Sequence, residues 1–154
     1  MKILRNILVG LGALFVLLLA SVAYLGLSAS SFVEETQPFL LDFTADFARN
    51  WEVATVEARM TDALATNLRT PQGRNVMSQL KQLGAFKGGH EFESRHYSSG
   101  TDGKRAEIAF DGRFEHADVV VTIVVERRDG VVKVDGFHIA LDDGVQPQSD
   151  ARDA

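Results

Sequence analysis

Val119-Val120-Val121-Thr122-Ile123-Val124-Val125 leads through Glu126-Arg127-Arg128 into Asp129-Gly130, and then into residues 131–141, VVKVDGFHIAL. β-Branched residues fill the first run, a composition suited to a pleated, half-buried surface. Asp-Gly accepts positive φ at both positions, so the pair predicts a tight hairpin between two antiparallel strands. The second strand does not keep one alternation. Val132 and Val134 share a face, whereas Phe137, Ile139 and Leu141 fall on the opposite one unless an extra residue intervenes. A bulge at Gly136 restores a single apolar face.

The same period of two extends upstream. Ala106, Ile108, Phe110 and Phe114 share one face of a candidate strand, with Glu107, Asp111, Arg113 and Glu115 on the other. Residues 90–98 form an earlier candidate strand, closed by the turn-rich Ser98-Ser99-Gly100-Thr101-Asp102-Gly103. On this strand either His96 or Tyr97 must point inward, and His96, which shares parity with Phe92, is the better pocket candidate.

Before residue 90 the period is helical. Phe39, Leu40, Phe43, Phe47 and Trp51 recur at three- and four-residue steps, with Pro38 suited to the first turn. Val53, Val56, Met60, Leu64 and Leu68 predict a second amphipathic helix. Thr70-Pro71 ends it and caps a third, carrying Val76, Leu80 and Leu83. Gly84 and Gly88-Gly89 then break the pattern. Helices followed by meandering strands predict an α+β domain over residues 31–141. Two to three helices pack on a curved antiparallel sheet of three to four strands, and the Phe-rich helix fills its concave side. Residues 142–154 read as an acidic disordered tail.

Hydrophobicity is uneven along the 154 residues, although 45% of them are apolar. Residues 7–27 hold 17 apolar residues out of 21 and no charge. As a helix they span about 31 Å, the thickness of a bilayer core. Lys2 and Arg5 precede the run, so the positive-inside rule predicts a cytoplasmic amino terminus and an extracytoplasmic, periplasmic domain on a single-pass inner-membrane anchor. A cleavable signal peptide is the rival reading of residues 1–30. Residues 28–35 would form a short stalk. From residue 31 onward 14 Lys and Arg stand against 21 Asp and Glu, which argues against a nucleic-acid partner. The doublet Arg127-Arg128 reads as a solvated hairpin end. The absence of cysteine excludes thiol catalysis and disulfides.

Two local patterns carry a family resemblance. Gln82-Leu83-Gly84-Ala85-Phe86-Lys87 stands at the helix-to-sheet junction, and Asp129-Gly130-Val131-Val132-Lys133-Val134-Asp135-Gly136-Phe137 forms the closing hairpin. Over about residues 35–141 the chain resembles the cystatin-like, nuclear-transport-factor-2-like superfamily, in particular small exported bacterial domains of unknown function. Val132 stands where that hairpin commonly carries Trp. The resemblance implies a cone between helix and sheet; in some members this cone holds a catalytic carboxylate.

Here the acids Asp42, Asp46, Glu107, Asp111 and Asp135 all fall on polar sides of their elements, so no catalytic residue is assigned. His90, His96, His116 and His138 lack metal-ligand spacing, and no glycine loop cradles phosphate, so neither metal nor cofactor is expected. Ser78, Ser94, Ser98 and Ser99 lie in no nucleophile-elbow context. His96 and Tyr97 are the pocket candidates, and Glu107, Asp111, Arg113 and Glu115 form the candidate docking face. The functional expectation is a membrane-tethered binding or accessory domain of an envelope complex, with a protein partner in the same membrane or self-association. The alternative is a small-molecule sensor or isomerase-like enzyme using the cone.

Overall fold

The computed structural model describes residues 29–141. The span expected over residues 7–27 and the tail expected over 142–154 lie outside them. Among the described residues no helix is long and apolar enough to cross a membrane. The architecture is α+β. Helix α1 covers residues 29–47, followed by α2 (Val53–Val56), a 3-10 turn (Glu57–Arg59), α3 (Asp62–Leu68), α4 (Pro71–Leu80) and a second 3-10 turn (Lys81–Leu83). Strands β1 (Phe86–Gly100), β2 (Gly103–Phe114), β3 (Asp118–Arg128) and β4 (Val131–Leu141) then form one antiparallel meander in the order β1-β2-β3-β4.

Helix α1 begins earlier than the apolar pattern from Phe39 to Trp51 suggests. Phe32, Val33 and Thr36 are buried together with Leu40, Phe43, Thr44 and Phe47, extending the apolar stripe by two turns. The stalk expected over 28–35 is therefore, from residue 29, part of the packed domain. Pro38 sits inside the helix and not at its first turn. Its missing N–H deprives the Glu34 carbonyl of a helical donor, which is tolerated because both residues lie on the exposed side. Thr36 and Thr44 are buried without penalty because each hydroxyl donates to a carbonyl one turn back, Phe32 O at 2.6 Å and Leu40 O at 2.8 Å.

Of the doublet expected to be solvated, Arg128 is exposed beside Glu126, whereas Arg127 fastens this helix to the sheet. Arg127 ion-pairs with Glu35 at 2.9 Å while its guanidinium lies 4.9 Å from the Phe32 ring centroid. The hydrogen bond and the charge of Arg127 hold the Glu35 carboxyl below the usual range.

The second amphipathic helix is interrupted at Met60. That residue is extended (φ −103°, ψ 157°), forms a parallel bridge with Val134 of β4, and is 1% exposed. Thr61 N–H then donates to Val134 O at 2.9 Å, and the Thr61 side chain caps α3 by accepting from Leu64 N–H. Helical spacing of apolar residues survives because the break costs only one short extended step. Thr70 caps α4 as expected, accepting from Gly73 N–H at 3.1 Å. The inward residues of α4 are Gly73 and Met77, however, while Val76 is 43% exposed.

Sheet and helices meet in one core. Phe43, Phe47, Ile108, Phe110, Val121, Ile123, Val125 and Val134 are all 1% exposed or less. Asp129 (φ 50°) and Gly130 (φ 77°) make the hairpin turn with positive φ at both positions, matching the twist of β3 and β4. The expected bulge is present. Val124 pairs with Gly136 but Val125 pairs with Val134, leaving Asp135 as the extra residue. Phe137 consequently joins the core, 5.6 Å from Phe47 and 6.2 Å from both Phe43 and Trp51, ring centre to ring centre.

The contact between α3 and α4 supplies a test of the packing. A Cβ at Gly73 would lie 2.5 Å from the carbonyl oxygens of Asn67 and Leu68. Gly73→Ala is expected to lower unfolding free energy by about 1–3 kcal/mol, since the clash is with backbone. Urea denaturation of the full chain measures it, and an unchanged midpoint would show that the two helices separate freely.

Candidate functional site

Strand β1 carries three irregularities, between Phe86 and Gly88, between His90 and Glu93, and between Ser94 and His96. They decide where the pocket candidates point. His96 pairs with Glu107 and is exposed, while Tyr97 pairs with Ala106, whose side chain is fully buried. Tyr97 is the inward residue and packs 5.9 Å from Phe32. The parity that placed His96 beside Phe92 is reversed by the irregularity between Ser94 and His96. Phe92 itself stacks on Phe110 at 4.7 Å.

The space between α1 and the sheet, where a pocket was the alternative expectation, is occupied. Phe43, Phe47 and Phe110 fill the space between α1 and the sheet, and Phe39 stacks on Phe43 at 6.3 Å. Among the described residues Thr36 and Thr44 are the buried polar residues, both with hydrogen bonds, and no ionisable side chain is fully buried. The four histidines do not gather: His90 and His96 lie on β1, His116 follows β2 and His138 lies on β4. Among the described residues no three His, Asp or Glu side chains converge as metal ligands would.

The opposite face of the sheet is organised in rows. Register aligns His90, Asp111, Val120 and Ala140 across the four strands, then Glu93, Ala109, Thr122 and His138, then His96, Glu107, Val124 and Gly136. The centre of this surface is small and mostly apolar, with Val120, Thr122 and Val124 half-buried and Ala109 only 2% exposed. Its rim is charged or imidazole-bearing. Glu107 and Asp111 of the expected docking set lie within these rows and are half-buried, while Arg113 continues the face at its end, exposed and 3.7 Å from Asp118.

Glu115 has a different task. Its backbone N–H donates to Ala85 O at 2.9 Å and its carboxylate accepts from Ala85 N–H at 3.3 Å, tying the β2–β3 loop to the helix-to-sheet junction. It therefore does not share a surface role with the other three.

At the hairpin end the polar side of the sheet carries a connected network that sequence reasoning did not find. Asp135, freed by the bulge, accepts from Thr61 Oγ1 at 2.7 Å and pairs with Arg105, which also reaches Glu126 at 3.8 Å. Burial penalises the Asp135 carboxylate, but the Thr61 hydroxyl and the Arg105 guanidinium outweigh that penalty, and its pKa is lowered. The only sequence signal was the Asp-Gly pair at the parity slip, since Thr61 and Arg105 are remote in the chain.

No family model, curated protein or solved structure matches this chain.

Two measurements check these assignments. His96→Ala should change unfolding free energy by less than about 0.5 kcal/mol. Tyr97→Ala should cost about 2–3 kcal/mol; the reverse order would place the strand in the other parity. Asp135→Asn should cost about 1–2 kcal/mol at neutral pH, the scale of hydrogen bonds to a charged group. Because the folded pKa is depressed, this contribution is fully present above the unfolded value of about 3.9 and is lost as pH falls through the lower folded value. Unfolding curves of native and Asp135→Asn chains should accordingly converge under acid, and a constant difference down to strongly acidic pH would contradict the role given to this carboxylate.

Proposed function

We propose that the chain is a membrane-tethered extracytoplasmic binding domain, an accessory subunit of a membrane or envelope complex that docks through the outer face of its sheet. The observation that supports it best is the row structure of that face. No described helix covers it, its centre is low in relief and mostly apolar, and its rim carries both signs of charge, the anatomy of a protein-docking surface. In this reading residues 7–27 form the single transmembrane anchor, with the amino terminus cytoplasmic and the domain periplasmic. The anchor ends only two residues before α1 is in place, which keeps the domain against the bilayer and raises its effective concentration at a partner in the same membrane. We also read the helices and curved sheet as a cystatin-like cone whose interior serves as core. The filled interior weighs against an enzyme or sensor working inside the cone.

In-cell photocrosslinking tests the proposal. A benzoylphenylalanine at Thr122 should give an adduct of defined mass in carbonate-washed membranes, whereas one at the exposed Asn75 of α4 should give none. An adduct of twice the chain's mass identifies the partner as a second copy. Equal yields from both positions, or none from Thr122, would overturn the docking face; loss of the chain from washed membranes would overturn the tether.

A further inference from the structure

Trp51 is the chain's single tryptophan and bears two unfavourable features at once. Its φ is +53°, an unusual value for a bulky side chain, and its Nε1 is sealed from solvent with no hydrogen-bond acceptor among the described residues. The surrounding loop is pinned by other groups. Trp51 N–H donates to Phe47 O at 2.8 Å, and the Asn50 side-chain oxygen accepts from Glu52 N–H and from the Thr55 hydroxyl, both at 3.1 Å. The ring is held by stacking on Phe114 and by a 5.1 Å contact with Phe47. Its position is thus over-determined, and the strain is built in.

Trp51 forms part of the wall of two adjoining clefts, of about 530 and 750 Å³, which share Glu52 and Lys81 as well. The smaller has an apolar lining of Val53, Leu68 and Met77 beside the indole, with Arg69, Arg74, Ser78 and Lys81 at its polar margin. Its size suits a compact organic molecule. The charges at the margin are not equivalent. Arg69 is committed to Glu57 at 2.6 Å. Arg74 and Lys81 have no side-chain partner among the described residues, and Glu52 is the one uncommitted acid beside them. Two free bases against one acid leave a single positive charge to be matched, within a chain whose net charge is −5.

We propose that this cleft binds a small amphiphilic monoanion: a compact apolar body laid against Trp51, Leu68 and Met77, and one carboxylate held by Arg74 and Lys81. The site lies among the helices, away from the outer sheet face, so it stands or falls independently of the docking proposal. It moves small-molecule recognition from the filled cone to a lateral cleft whose polar groups are basic.

The single tryptophan supplies the readout. The full chain in maltoside micelles is titrated with 4-phenylbutyrate, and with 4-phenylbutylamine as the charge-reversed probe, following Trp51 emission and the one indole N–H resonance. Saturable change is expected with the carboxylate and not with the amine. Arg74→Gln combined with Lys81→Gln, both on exposed helical positions, should weaken the carboxylate at least fivefold while leaving the unliganded indole resonance in place. Absence of a saturable change, equal response to the two probes, or undiminished binding by the double variant would each overturn the proposal.

Discussion

One extra residue in β4 organises the molecule. With Asp135 bulged out of the ladder, Val134 and Phe137 face the same core, although their sequence separation is odd. Phe137 then closes an aromatic cluster with Phe43, Phe47 and Trp51, and those rings set how α1 lies across the sheet. The bulge also turns the Asp135 carboxylate toward Thr61 and Arg105. Beside it, Met60 bridges to Val134. Edge pairing, the break in the second helix and the polar network thus meet at one local insertion. A bulge concentrates twist and re-aims side chains, and here it does so where Met60 and Thr61 of the helical layer meet β4.

Nearer the hairpin turn, between β3 and α1, the fastening is different in kind. Arg127 reaches from β3 to Glu35 and lies over Phe32, joining the first turns of α1 to the hairpin end. Much of its contribution is apolar, since a guanidinium over a ring buries carbon as well as satisfying charge. With Tyr97 against Phe32, this makes residues 29–35 part of the domain. A chain emerging from a membrane at residue 27 would therefore meet packed structure almost at once.

What was legible in the sequence follows from the range of the interaction that decides each feature. The β3–β4 hairpin, its turn, the parity slip at Gly136 and the Thr70 cap are local, and each left a local mark. The interruption at Met60 left none, because Met60 and Leu64 keep helical spacing while a strand seventy residues away claims the Met60 backbone. The three irregularities of β1 were equally hidden. They exchange His96 for Tyr97 in a stretch with few apolar residues, where alternation had little to report. Pro38 misdirected the start of α1 because exposed proline is tolerated within a helix that tertiary packing supports. Of the candidate docking residues, Glu107, Asp111 and Arg113 share the outer face, but Glu115 is drawn away by a contact with Ala85. The Trp51 cleft could not be read at all, since its walls come from four separate elements.

The outer face follows from the core: the same bulge that turns Phe137 inward leaves His138, Ala140 and Gly136 to complete the outward rows. Ring-to-ring nuclear Overhauser contacts of residues 137 and 138 in the full chain test this most directly. Contacts from the Phe137 ring to the rings of Phe47 and Trp51, with the His138 ring making none to the core, are the expected result. Contacts from His138 into the aromatic cluster, with Phe137 turned outward, would contradict it.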